Sequence, residues 1–105
     1  MHIGISTTMG EELARYLDLS AAQAKVTAAN MANLDTPGYR TVGFDFDAAM
    51  RKAIAGAETD TPAAAPKASR VDGLVSRPDG NNVSMDREGL SLADAQLKYR
   101  PAWRY

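Results

Sequence analysis

The sequence predicts a mainly α protein: a long N-terminal helix paired with a shorter C-terminal helix, joined by an extended or irregular middle region with short β segments. Three observations carry that expectation. Leu13, Leu17, Ala21, Ala24, Ala28 and Met31 recur in steps of four and three, the spacing of one helical face. Leu90, Ala93 and Leu97 follow similar spacing further along the chain. Between these stripes, Val42, Phe44 and Phe46 alternate with Gly43 and Asp45, which is the period of a strand.

The first helix is expected over 8–34. Thr8 and Glu11 have capping-box spacing at its start. At 1.5 Å per residue such a helix is roughly 40 Å long, more than a small core requires. Its apolar stripe therefore reads as a packing seam, with alanines that let a second helix approach closely. Glu12, Arg15, Gln23 and Thr27 occupy the opposite face. The helix stops abruptly. Thr36 precedes a proline and is driven out of the helical region. Pro37 and Gly38 fit the two central positions of a type II turn, with Gly38 supplying positive φ. Asn30 and Asn33 lie in the last helical turns, and two uses are open to their amides. They can satisfy terminal carbonyls and shape the turn, or hydrogen-bond a neighbouring subunit.

Residues 35–56 are expected to form this turn, an extended segment and a short helix. Asp45 or Asp47 is placed to cap the short helix, with Phe46, Met50 and Ile54 on one face and Gly56 closing it. Residues 57–83 read as a flexible linker and turn. Its first part contains only Ala, Glu, Thr, Asp, Pro, Lys and Ser, with Pro62 and Pro66 bracketing three alanines. Leu74 and Val75 suggest a short strand, and Pro78-Asp79-Gly80 a turn. Ser84 is the expected N-cap of the second helix, over 84–100, with Asp86 and Glu88 near its positive end. Gly89 weakens that helix by about 0.8–1 kcal/mol relative to alanine. Pro101 is expected to end or kink it.

A chain of 105 residues is one domain in length. Nineteen alanines inflate its apolar fraction, and Leu, Ile, Val and Phe together number only 18. That is below the roughly 20% at which a chain struggles to build its own interior. Yet the net charge of -1 provides no repulsion to hold it open. The composition describes helices that form but cannot bury one another well alone. No catalytic, cofactor or metal site emerges. Cysteine is absent, and the single histidine, His2, sits at the N-terminal end. Asp79-Gly80-Asn81-Asn82 begins like a calcium loop, but Val83 and Ser84 stand where an oxygen ligand and a glycine are required. Arg70, Arg77, Lys98, Arg100 and Arg104 are scattered among acids, as on a solvated surface, and near-neutral charge argues against nucleic acid. Residues 1–10 lack the basic and apolar regions of a cleavable signal peptide.

The run Ala28-Ala29-Asn30-Met31-Ala32-Asn33-Leu34-Asp35-Thr36-Pro37-Gly38-Tyr39-Arg40 resembles the N-terminal signature of bacterial flagellar rod and hook proteins. With Phe44-Asp45-Phe46 after it, the run looks most like the proximal rod members. Asp79-Gly80-Asn81-Asn82-Val83, Met85-Asp86-Arg87-Glu88 and Ala95-Gln96-Leu97-Lys98-Tyr99-Arg100 resemble the family's C-terminal block, in the expected order. The resemblance implies a non-enzymatic axial subunit whose terminal helices lie side by side and pack helically into a tube that transmits torque. It implies Asn30, Asn33, Asp35, Thr36, Pro37, Gly38 and Tyr39 as the motif and turn. The packing would involve Leu13, Leu17, Ala21, Ala24, Ala28 and Met31 against Leu90, Ala93 and Leu97 and against adjacent subunits. It implies other rod subunits, copies of the same chain, the FliE junction protein and the flagellar export apparatus as partners, with no nucleic acid and no small-molecule substrate. The location implied is the basal body on the periplasmic side of the inner membrane, reached without a cleaved signal. The family's C-terminal helix runs well beyond the Tyr99-Arg100 position, where this chain has Pro101.

The rival reading from the residues alone is a small helical adaptor or chaperone-like module that grips one partner without polymerising. Thin apolar faces make isolated helices marginal. Circular dichroism of the chain in dilute solution is therefore expected to show low helicity that rises with concentration or added partner. High helicity independent of concentration, with a sharp melt, is the contrary result.

Overall fold

The computed structural model describes residues 4–58 and 65–104; expectations resting on His2 and Pro62 lie outside them. In chain order the elements are α1 (Gly4–Ala32), β1 (Val42–Gly43), α2 (Phe46–Glu58), β2 (Ser69–Arg70) and α3 (Met85–Arg104). The mainly helical class is as the sequence predicts. The chain measures 61 × 27 × 18 Å with a radius of gyration of 16.3 Å, whereas a compact domain of this length has about 13 Å. It is a rod-shaped molecule organised along α1.

α1 is already helical at Gly4, so Thr8 lies inside it and the capping box does not open the helix. No proline stands ahead of Thr8 to force the chain out of the helical region. α1 ends at Ala32, two residues before the expected limit, by tightening into turns. The Asn33 amide reaches both Ala29 and Asn30 carbonyls, and the Leu34 amide reaches Met31. The Tyr39 amide then donates to the Thr36 carbonyl at 3.1 Å, and Gly38 has φ 76°. That is the type II corner predicted from Pro37-Gly38.

Asp45, one of the two expected caps, opens α2 by accepting from the Ala48 amide at 3.0 Å. The helix runs through Gly56 to Glu58 instead of closing there. Phe46 meets the Tyr16 ring edge-on at 5.8 Å and carries Lys98 Nζ 3.8 Å from its ring centre. It thus ties α2 to α1 and α3. The expected strand at Leu74-Val75 is absent. β2 instead pairs antiparallel with β1, Val42 opposite Arg70 and Gly43 opposite Ser69. An extra bond from the Val71 amide to the Thr41 carbonyl continues that pairing. The linker is therefore tied down before Leu74, because β1 offers it unpaired backbone groups.

Pro78-Asp79-Gly80 turns as expected. The Gly80 amide donates to the Arg77 carbonyl and the Arg77 amide to the Asn81 carbonyl, both at 2.8 Å. Gly80 has φ 85°, the left-handed residue that follows a type I turn in a three-residue connection. Ser84 caps α3, accepting from the Arg87 amide at 3.3 Å. α3 does not end at Pro101 but continues to Arg104. The proline removes a single bond, from its own nitrogen to the Leu97 carbonyl, and the helix continues across it.

α1 and α3 are antiparallel: Asn30 meets Glu88, Thr27 meets Ser91, and Gln23 meets Asp94 and Lys98. Extending this register puts Arg104 level with about residue 14, since both helices rise 1.5 Å per residue. The first ten or so described residues of α1 project past α3. The buried apolar residues among those described are Leu19, Val83 and Ala95, whereas Ser20, Thr27, Asn30, Thr41, Asn81, Asn82 and Glu88 are buried polar ones. The interior is predominantly polar.

Gly80→Ala is expected to cost about 1–2 kcal/mol, the penalty of a side chain in the left-handed region, with the added methyl 3.4 Å from Gly38 Cα. Gly89→Ala, helical and facing open space, is expected to stabilise by about 0.8–1 kcal/mol. Urea midpoints, taken at a concentration at which circular dichroism shows the chain helical, that move in opposite directions at unchanged m-value confirm the pair; a shift of the same sign refutes the backbone account.

Candidate functional site

The functional geometry of this chain is concentrated where α1 ends. The C-terminal helical turn must find partners for its last carbonyls. The sequence supplies them from 77–88, more than forty residues away. Asn81 Nδ2 lies 2.8 Å from the Asn33 carbonyl, 2.9 Å from that of Leu34 and 2.8 Å from that of Thr36, so its two hydrogens are shared among three acceptors. Its Oδ1 accepts from the Val83 amide at 2.8 Å. Arg77 adds a guanidinium contact to the Leu34 carbonyl and a 2.9 Å bond to the Val83 carbonyl. Asn82 Oδ1 accepts from the Thr41 amide at 2.6 Å, and the Asn82 carbonyl accepts from the Thr41 hydroxyl at 3.2 Å. The two glycine turns touch: the Gly38 amide donates to the Asp79 carbonyl at 2.9 Å.

Asn30 stands at the centre, 1% exposed. An amide side chain has two donor hydrogens and two acceptor lone pairs, and all four are matched. Nδ2 donates to the Val42 carbonyl and to Glu88 Oε1, each at 2.8 Å. Oδ1 accepts from the Tyr39 hydroxyl at 3.0 Å and the Val42 amide at 3.1 Å. One side chain thus joins α1, the corner, β1 and α3. Glu88, fully buried, completes the network through Oε2, 2.5 Å from Arg87 Nη1. Of the two uses open to Asn30, the internal one is taken. Asn33 likewise turns inward on its own helix end, with Nδ2 on the Ala29 carbonyl at 2.8 Å and Oδ1 accepting from Thr36.

Further down the interface Gln23 Nε2 donates to Asp94 Oδ2 at 3.1 Å, and Lys98 Nζ reaches both Gln23 Oε1 at 3.1 Å and Asp94 at 2.7 Å. The hydrogen bond from Lys98, then that from Gln23, holds the Asp94 carboxyl below the ordinary carboxylate value. A cavity of about 400 Å³ opens between this row and the β-pair. Its ionic groups from α3 are already matched, Arg87 to Glu88 and Lys98 to Asp94. Among the described residues no three His, Cys, Asp or Glu side chains gather as metal ligands would.

A model of the Flagella basal body rod protein family matches residues 17–40, the span that carries Asn30 and the corner. Over 102 residues the chain is 36% identical to flagellar basal body rod protein FlgB of Salmonella typhimurium, which covers 80% of this chain and 74% of that relative. It is 37% identical to FlgB of Escherichia coli over 103 residues, and 32% identical to FlgB of Yersinia enterocolitica over 102, with the same shares covered. The chain belongs to the FlgB family of flagellar basal body rod proteins. That family is a structural component of the rod, and membership associates the chain with other rod components at the basal body. Among the described residues, no helix is long and apolar enough to cross a membrane.

Of the motif residues, Asp35, Thr36, Pro37 and Gly38 are exposed on the corner and Tyr39 is turned inward. The packing stripes do not meet within the chain. The expected pairing of Leu13, Leu17, Ala21, Ala24, Ala28 and Met31 with Leu90, Ala93 and Leu97 is replaced by a polar one. Leu13 is 44% exposed, Leu90 75% and Leu97 65%, and Ala21, Ala28 and Ala93 are exposed as well. At about 100° per residue, the α1 stripe is rotated by about 110° from the face that carries Tyr16, Leu19, Gln23, Thr27 and Asn30. Leu90, Ala93 and Leu97 lie on the far side of α3. Full satisfaction of Asn30, Glu88 and Ser91 decides this rotation, because buried polar groups left unpaired cost more than exposed leucines.

Sequence reasoning missed Thr41, Asn81, Asn82 and Glu88. Glu88 reads as a charge near a helix start, and Asn81-Asn82 as a failed calcium loop. Two adjacent asparagines between a tight turn and an N-cap are the one local sign that carbonyls elsewhere need donors. Arg77 and Lys98, expected on a solvated surface, instead bind carbonyls and the Gln23–Asp94 pair.

Glu88→Ala is expected to destabilise by about 1–3 kcal/mol, since Asn30 loses a buried hydrogen-bond partner, whereas the Arg87 side chain is 37% exposed and keeps its access to water. A double-mutant cycle of Asn30→Ala with Glu88→Ala is expected to show coupling of about 0.5–3 kcal/mol. Additive effects in urea unfolding would show that the two do not act as one network.

Proposed function

We propose that this chain is a proximal rod subunit that assembles by helix–helix packing and transmits torque. In this reading the polar lock around Asn30 sets the subunit's shape, and the outward apolar stripes join it to neighbours. The observation that carries the reading is the inverted distribution of side chains: asparagines, two threonines, a serine and a glutamate buried, with Leu13, Leu90 and Leu97 outside. Fully burying one leucine contributes roughly 1.5–3 kcal/mol, so Leu13, Leu90 and Leu97 retain much of their stabilising capacity for contacts between chains. The α1 stripe of Leu13, Leu17, Ala21, Ala24, Ala28 and Met31 offers small residues for close helix approach. The part of α1 that projects past α3 extends this surface along the molecular axis.

Copies of the chain and other rod subunits would occupy these faces, with the FliE junction protein as a neighbour at the base. Such a subunit would be delivered by the flagellar export apparatus without a cleaved signal, and would act on the periplasmic side of the inner membrane. Rigid transmission of torque suits an interior of directional hydrogen bonds, because each has a narrow range of favourable geometry.

Leu90→Glu combined with Leu97→Glu separates folding from assembly. Both side chains are exposed, so the change in single-chain stability is expected to stay within about 0.5 kcal/mol per site. Association with rod partners in sedimentation, and motility of a strain that carries only this variant, are expected to be lost. Normal motility with the double variant defeats the proposed interface, and a defined one-to-one complex that never grows favours an adaptor.

A further inference from the structure

We propose that Asp72-Gly73 is a site of spontaneous aspartate isomerisation, and that the fold protects the second Asp-Gly pair, Asp79-Gly80, from the same chemistry. The two pairs consist of the same two residues and differ sharply in what the structure does to them.

The reaction requires the glycine amide nitrogen to attack the aspartate side-chain carbonyl carbon. A C–N bond forms, the carboxyl C–O bond breaks, and one water leaves with the amide proton, giving a five-membered succinimide. Water then adds to either carbonyl of the ring. Opening one way restores aspartate. Opening the other way routes the main chain through the side-chain carbon and leaves a free α-carboxylate. No oxidant or second reagent takes part. Glycine as the following residue removes the side chain that would crowd ring closure, and both the nitrogen and the carboxyl must be free to approach one another.

At Asp79-Gly80 neither group is free. The Asp79 Oδ1 accepts from the Asn81 amide at 3.0 Å. The Gly80 amide is held by the Arg77 carbonyl at 2.8 Å, and the Asp79 carbonyl by the Gly38 amide at 2.9 Å. The pair also packs closely, with a Cβ built on Gly80 lying 3.4 Å from Gly38 Cα. At Asp72-Gly73 the constraints are missing. Both residues are exposed, and space around Gly73 is open. Among the described residues neither the Asp72 carboxyl nor the Gly73 amide has a hydrogen-bond partner. The fixed points nearest in sequence are Val71, bonded to Thr41, and Ser76, bonded to Arg40 at 2.8 Å. Between them the loop has room for the extra backbone atom that the isomer introduces. The same insertion at Asp79 would break the contact between the two glycine turns.

The test is prolonged warm incubation of the full chain at neutral pH in water enriched in oxygen-18, at a concentration at which circular dichroism shows it helical, followed by peptide mapping with mass spectrometry and isoaspartyl methyltransferase labelling. The folded chain is expected to gain heavy oxygen and methyl-accepting sites in the peptide with Asp72, at several times the rate of the peptide with Asp79. The same incubation in urea is expected to label both at similar rates. Asp72→Glu, which would need a six-membered ring, is expected to abolish labelling there while the circular dichroism spectrum is unchanged. Equal labelling of the two pairs in the folded chain, or no labelling at Asp72 over a period in which the urea sample labels it, overturns the proposal.

Discussion

The four-way hydrogen bonding of one buried amide holds the rest of this structure in place. Asn30 fills every donor and acceptor position it has, with Val42 twice, Tyr39 and Glu88. Those partners belong to β1, the corner and α3, so a single side chain fixes the angle at which the chain leaves α1 and the register at which α3 returns. A slide of α3 by one turn would leave the amide and Glu88 short of partners, at about 1–3 kcal/mol for each buried group left unmatched. Apolar contacts impose no comparable register here, because the buried apolar residues among those described are only Leu19, Val83 and Ala95.

The consequence is a division of labour between the two kinds of side chain. Polar groups specify the fold of the single chain through the Asn30–Glu88 pair, the Asn81 and Arg77 contacts to the end of α1, and the Gln23–Lys98–Asp94 row. Large apolar groups contribute less to it: Leu19 and Val83 are buried, but Leu13, Leu90 and Leu97 face outward. Networks of this type confer geometry more than stability, because much of the hydrogen-bond energy repays the cost of burying the groups. An elongated single chain with a polar interior and apolar flanks is suited to a member of a rod protein family.

Reading the sequence worked where a local signal was sufficient. The Thr36-Pro37-Gly38 corner, the Pro78-Asp79-Gly80 turn, the Ser84 and Asp45 caps and the three helices all follow from residues within a few positions of one another. It fell short where local signals compete. The Thr8 capping box did not open α1, Gly56 did not close α2, and Pro101 did not end α3, since each is a weak preference against neighbouring turns that remain favourable. β2 formed at Ser69–Arg70 and not at Leu74-Val75 because a strand of this length is chosen by its partner, and β1 meets the chain at Ser69–Arg70.

The residues by themselves determined the helical class, the corner, the turns and, through the two motif blocks, the family resemblance. Tertiary structure alone decided which face of each helix points inward. The apolar stripes predicted a seam that the single chain does not make, because hydrophobic periodicity reports which face avoids water somewhere, in this chain or in an assembly. Which polar groups can satisfy one another is a question of distance across 58 residues, as between Asn30 and Glu88. No window along the sequence contains that distance; only the folded arrangement of α1, the corner and α3 does.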